Sequence, residues 1–175
     1  MRIVPITNDH HLYPQCVELR TRVLLGPIGY DIERFRDEFP GVEDRFEHLV
    51  AVIDHPQGER VVGTVSLLVN HPEEGSGKLA QMAVDEQRRR EGVGRMLVVE
   101  VERRAVLQHR LGRLYCHAQL AAVPFYESLG WKREGELFQE AGLDHYKMTL
   151  ELDPEPTPTD LPAFEGEDES DAMGV

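Results

Sequence analysis

The sequence predicts an α/β fold in which a mixed sheet is flanked by helices. Three observations carry that prediction. β-rich runs and amphipathic helical runs alternate along most of the 175 residues. Val93, Leu97, Val101 and Ala105 recur at i, i+4 spacing, which is one buried helix face. That helix is entered from an apolar strand through a turn rich in glycine and arginine, within the stretch Lys78 to Arg95 (KLAQMAVDEQRRREGVGR).

Met1–Pro5 can form a first strand. Leu12, Cys16, Leu19 and Val23 lie at helical spacing, so about residues 11–25 form an amphipathic helix, ended by Gly26-Pro27. Asp31–Glu38 is a second, short helix, stopped by Pro40-Gly41. His48–Ile53 and Arg60–Val69 are strands joined by the turn chemistry of Asp54–Gly58, a hairpin. Asn70–Gly77 is another turn, before the strand Lys78–Val84. Gly92–Gln108 is the long helix and Leu114–Ala118 a β-rich run. Ala121–Leu129 is helical, with Pro124 tolerated in the first turn and Gly130 as C-cap. Trp131–Glu134 and His145–Leu152 are two late strands around a loop holding Gly135 and Gly142.

The length suits one domain, residues 1–152. Residues 153–175 form an acidic, proline-rich tail, expected to be mobile. The formal charge is −13, and the tail contributes eight acids and no Lys or Arg, which leaves −5 for residues 1–152. Such a balance disfavours nucleic acid as a partner. No apolar run of about 18 residues is present, so no membrane span is expected. The N-terminus is too polar for a signal peptide, and the two cysteines, Cys16 and Cys116, have no paired spacing. A cytoplasmic protein with reduced thiols is the expectation. The eight histidines are scattered, without metal-ligand spacing. A dinucleotide fingerprint starting at Gly92 would need glycine at position 97, where Leu97 stands.

The turn Arg89-Arg90-Glu91-Gly92-Val93-Gly94-Arg95 is built for phosphate. Helix N-terminal amides are unpaired and carry partial positive charge, and glycines let an anion approach them closely. The arginines add full charge in an otherwise acidic chain.

These residues carry a resemblance. Arg89-x-x-Gly92-x-Gly94, after a strand ending Met82-Ala83-Val84, resembles the acyl-CoA motif of the GNAT superfamily of N-acetyltransferases. Ala122-Val123-Pro124-Phe125-Tyr126-Glu127-Ser128-Leu129-Gly130-Trp131 is similar to that family's second signature, with Trp131 in place of the commoner Phe. Phe138 to Met148 resembles the closing motif of the ElaA-like and YjcF-like branch. The resemblance covers about residues 1–152 and implies a mixed, mostly antiparallel central sheet. It also implies acetyl-CoA as acyl donor, no metal, and a small amine or peptide as acceptor; a homodimer is left open. Met82, Ala83 and Val84 would pair with the pantetheine arm, Arg89 through Arg95 would cradle the pyrophosphate, and Gln119 would bond the pantetheine amide. Tyr126 matches the family's general acid.

Attack on a thioester requires a neutral amine, a polarised carbonyl and a stabilised thiolate. The oxyanion is expected to meet a backbone N–H of the Met82–Val84 strand, as in the family. Candidate bases are Glu140 and His145 in the late loop, then His117 and Asp85. A water relay or an already neutral amine would make a side-chain base unnecessary. Two other readings compete: a non-catalytic acyl-CoA sensor, separable by a thiol-release assay, and an interaction protein using its acidic tail, separable by deleting the residues after Leu152.

Overall fold

The computed structural model describes residues 1–153; the rest of the predicted tail, residues 154–175, lies outside the described residues. Seven strands form one sheet: β1 (Arg2–Ile6), β2 (Phe46–His55), β3 (Gly58–Val69), β4 (Ser76–Val84), β5 (Arg113–Gln119), β6 (Lys132–Glu140) and β7 (Leu143–Glu151). Their spatial order is β1-β2-β3-β4-β5-β7-β6. Every neighbouring pair is antiparallel except β4–β5. The mixed, mostly antiparallel sheet flanked by helices is the predicted architecture.

The helices lie on opposite faces. On one face α1 (Tyr13–Arg20) and its N-cap Leu12 pack Leu12, Cys16 and Leu19 against Val50, Val52, Val61 and Ala83 of the sheet. It runs on through a wider π-type turn, Thr21–Leu25. The short helices α2 (Ile32–Glu38) and α3 (Val42–Arg45) follow; Asp31 caps α2 by accepting from the Arg34 amide at 2.8 Å. On the other face α4 (Val93–Leu107) buries Val93, Leu97, Val98, Val101 and Ala105 against Leu49, Ala51, Val62 and Val65. This is the predicted i, i+4 face. Gly63 permits the contact: a Cβ there would lie 2.6 Å from Val93 Cγ1. The fifth helix, α5 (Val123–Glu127), is a short turn that buries Val123 and Tyr126 in the same core.

Two predicted segments differ. Glu140 and His145 do not lie in a loop. β6 runs on to Glu140, passing through Gly135 as a bulge at φ +76°, and only Ala141-Gly142 separates it from β7. Helix α3, just after Pro40-Gly41, was not foreseen; its one buried side chain is Glu43.

Candidate active site

The site begins as a break in the sheet. β4 and β5 pair only through Ser76–Lys78 and Arg113–Tyr115. Both strands then continue, β4 to Val84 and β5 to Gln119, without pairing to each other. A bulge steers β4 away: the β3–β4 register shifts between Thr64 and Ser66, and Gln81 adopts a left-handed backbone at φ +52°. Two strand edges with unspent N–H and C=O groups therefore face each other in mid-sheet. Met82, Ala83 and Val84 line the first edge. Cys116 to Gln119 line the second, with Gln119 exposed at its end.

The arginine turn closes the β4 side of the split. Arg90 and Gly92 both take left-handed backbone, φ +68° and +81°, and Gly92 is the N-cap of α4. No side chain caps the helix and no acid occupies its first turn, so the leading amides remain available to an anion. Gly94 brings the helix up to Phe125 and Val84: a Cβ there would sit 3.5 Å from the Phe125 ring. The three arginines are not equivalent. Arg88 pairs with Glu91 at 3.3 Å and Arg89 approaches Glu86 at 3.9 Å, while Arg90 has no ion pair among the described residues. The cationic cradle is thus more neutralised than the sequence implies, and Arg90 is its member without an acidic partner among the described residues.

Tyr126 spans the split from the α4 face. It is 4% exposed, with its hydroxyl 4.0 Å from Met82 Sδ on β4 and in contact with the Cys116 thiol on β5. The Phe125 and Trp131 rings flank it at 5.1 and 5.3 Å between centroids. Burial, followed by Cys116, pushes its hydroxyl well above the ordinary tyrosine range, so it remains a neutral donor. Burial likewise pushes the Cys116 thiol up to about 12, which makes it an inert wall.

The opposite face of the split carries the other candidates. His117 Nδ1 lies 3.1 Å from Glu140 Oε1. That bond, opposed by partial burial and supported by the charges of Lys78 and His145, holds the Glu140 carboxyl below the usual range. His145 is 7% exposed, stacks on Phe138 at 5.9 Å, and places Nδ1 2.8 Å from its own Leu143 carbonyl. His117 meets the same Phe138 ring edge-on at 4.9 Å. The structure thus brings Glu140, His145 and His117 together, with Phe138 between the two imidazoles.

Asp85 does not join them. It is 2% exposed and accepts from the Gln87 amide at 3.0 Å, with Arg22 and Arg60 at 3.4 and 3.6 Å. Burial would raise its carboxyl, but those partners hold it below the usual range, so it is a poor proton acceptor. Sequence reasoning also missed the group under the β4 bulge. Buried Arg20 binds Glu43 and places Nη2 3.3 Å from Gln81 Oε1. Its only sequence signal was an arginine on an otherwise apolar helix flank.

Among the described residues no cluster of His, Cys, Asp and Glu could hold a metal ion, and no helix is long and apolar enough to cross a membrane.

Comparison with known proteins shows the family and the fold. The model of the acetyltransferase (GNAT) domain matches residues 31–152. A Bacillus subtilis protein described as an acetyltransferase is 29% identical over 154 residues, 87% of this chain and 98% of that one. The N-acetyltransferase YjcF of the same organism is 31% identical over 113 residues, 64% of this chain and 75% of that one. The crystal structure of Escherichia coli ElaA superposes with a TM-score of 0.69 at 19% identity, covering 86% of this chain and 99% of that one, a likeness of fold. A sheet split between β4 and β5, a glycine-led helix at its rim and a family match over most of the chain lead to one conclusion: the protein belongs to the GNAT acetyltransferase family and is an acyltransferase that draws on coenzyme A thioesters.

Proposed function

We propose that the protein transfers an acetyl group from acetyl-CoA directly to a primary amine of a small molecule or peptide. One observation carries the proposal: the buried, neutral hydroxyl of Tyr126 reaches across the split to Met82. A thioester threaded between β4 and β5 brings its sulfur to that hydroxyl.

The chain's residues divide the work. Gly92, Val93 and Gly94 offer backbone amides to the pyrophosphate, and Arg89, Arg90, Glu91 and Arg95 form the surrounding turn. Met82, Ala83 and Val84 offer strand hydrogen bonds to the pantetheine amides, with Gln119 across the gap. A backbone N–H of the same strand meets the oxyanion as the amine adds to the carbonyl. As the C–S bond breaks, Tyr126 donates to the departing sulfur. An ordinary tyrosine at about 10 and a thiol at about 8.5 make complete transfer uphill by about 2 kcal/mol. Burial adds to that cost, so the proton moves late, once charge has built on sulfur.

The test is a thiol-release assay with acetyl-CoA and a panel of primary amines: n-butylamine, tyramine, spermidine, free amino acids and short peptides. Amine-dependent release of free thiol above hydrolysis supports the proposal. No amine-dependent release for any member, with acetyl-CoA demonstrably bound, overturns it.

A further inference from the structure

We propose that His117 is the catalytic base of this site and that Glu140 is its positioning residue. The inference rests on the acyl-transfer reading above and assigns the proton that the amine must lose.

The argument begins with register. The last β4–β5 pair is Lys78 with Tyr115, so His117 is the second residue beyond the point where the strands part. Side chains alternate along a strand. Leu114, Cys116 and Ala118 enter the core on the α4 face, where Tyr126 touches Cys116. Tyr115 and His117 therefore face the other way. The split is bracketed by a proton donor on one face and an imidazole on the other. An amine attacking the thioester carbonyl from the side opposite Tyr126 arrives on the His117 side.

Tautomer follows from the partner. Glu140 is ionised, so its oxygens only accept, and the His117 Nδ1 that meets it at 3.1 Å must carry the hydrogen. Nε2 is left with its lone pair. The bond also limits rotation of the ring. The ring is a quarter exposed, enough for an amine to reach.

His145 does not have this arrangement. Its Nδ1 meets the Leu143 carbonyl of its own strand rather than a carboxylate, Glu140 acts on it without a hydrogen bond, and it is more buried. Lys147 is the strand neighbour of His117 and is paired with Glu134 at 2.7 Å. Lys78 lies over the Tyr115 ring at 6.0 Å, and Tyr115 is bound by His71 at 2.7 Å. Among the described residues, Glu140 alone hydrogen-bonds the His117 ring.

The step balances. An ammonium gives one proton to His117 Nε2. The freed lone pair forms the N–C bond at the thioester carbonyl, the C–S bond breaks, and the thiolate receives the Tyr126 proton. His117 passes that first proton to solvent before it takes the amide nitrogen's remaining excess proton, and Tyr126 regains one proton from solvent, so that one ammonium and one thioester give one amide, one thiol and one net proton.

Two measurements test this. The first needs no acceptor. In a long-range ¹H–¹⁵N histidine spectrum, the resonances lost in His117→Gln should report a neutral ring protonated at Nδ1, and Glu140→Ala should return it to the commoner Nε2–H form. A ring protonated at Nε2 in the unaltered protein overturns the proposal. The second uses the amine that the panel assay turns over best. His117→Ala should lower kcat/KM about a hundredfold and abolish the acid limb of its pH profile, with acetyl-CoA affinity unchanged. Glu140→Gln should keep the limb but lower kcat, because an amide can offer its NH2 to Nδ1 and no longer fixes the ring's tautomer. An active enzyme whose acid limb survives in His117→Ala overturns the assignment of His117 alone; absence of activity in the unaltered protein would instead overturn the acetyl-transfer reading.

Discussion

Arg20 and Glu43 form a fully buried ion pair, with guanidinium nitrogens 2.5 and 2.9 Å from the two carboxylate oxygens. Tyr13 donates to the same carboxylate at 2.7 Å. Burial opposes the charge on Glu43, but Arg20 and Tyr13 still hold its carboxyl below the usual range. Burial and then the Glu43 bond push Tyr13 up to about 12. The guanidinium also reaches Gln81, the left-handed residue that turns β4 away from β5. The pair thus anchors α1 and α3 to the bulge that opens the site.

Removing one partner leaves the other charge buried and alone, a loss of about 3–5 kcal/mol. Glu43→Gln and Arg20→Met should each lower unfolding free energy by that order in urea titrations. Arg20→Met should also weaken acetyl-CoA binding, since Gln81 loses its support. A loss below 1 kcal/mol for both variants would show that the pair is dispensable.

His48 makes the fold sensitive to mild acid. Its ring is wholly buried, 2.8 Å from Ser66 Oγ, and burial, aided by Arg20 and opposed by Glu43, lowers its pKa to about 4. The native state therefore refuses a proton that the unfolded chain takes up below about 6.5. Stability is complete above that pH, falls as pH drops from about 6.5 to about 4, and is level below. Between pH 7 and pH 5 the loss should be about 2 kcal/mol. His48→Gln should remove most of that slope in urea titrations at the two pH values.

Tyr126→Phe keeps the ring packing against Phe125 and Trp131 and deletes only the donor. Turnover should fall at least about tenfold, below the usual range for a general acid, with acetyl-CoA affinity unchanged. Unchanged steady-state turnover would remove Tyr126 from the mechanism.

The arginine turn should show unequal contributions. Arg90 has no acidic partner among the described residues, whereas Arg88 and Arg89 face Glu91 and Glu86. Arg90→Ala should raise the calorimetric Kd for coenzyme A about fivefold, roughly 1 kcal/mol for an exposed charge-assisted contact. Arg88→Ala and Arg89→Ala should have smaller effects. Gly92→Ala should cost about 1 kcal/mol of stability, because its backbone lies at φ +81°.

Local signals made much of this molecule legible. The Val93–Ala105 repeat predicts α4, and the turn before it predicts the place of its start. The turn Asp54–Gly58 predicts the β2–β3 hairpin. What escaped is non-local. Gly135 and Gly142 read as one loop because β6 is mostly exposed and shows no apolar alternation, yet a single left-handed glycine lets the strand continue. The His117–Glu140 contact depends on the register of three strands, which spacing along the chain does not encode. Arg20 sits beside an apolar helix stripe, and its burial became intelligible only once α3 supplied Glu43.

The short join between β4 and β5 has a mechanical consequence. Three residue pairs hold the four-stranded half of the sheet to the three-stranded half. Beyond them the sheet is a wedge whose flanks are bare peptide groups. A donor molecule with its own amides can enter as a partial surrogate strand, completing backbone bonds that the chain leaves open and breaking none between β4 and β5 to do so. On the acyl-transfer reading proposed above, loading the donor would also fasten the two halves together.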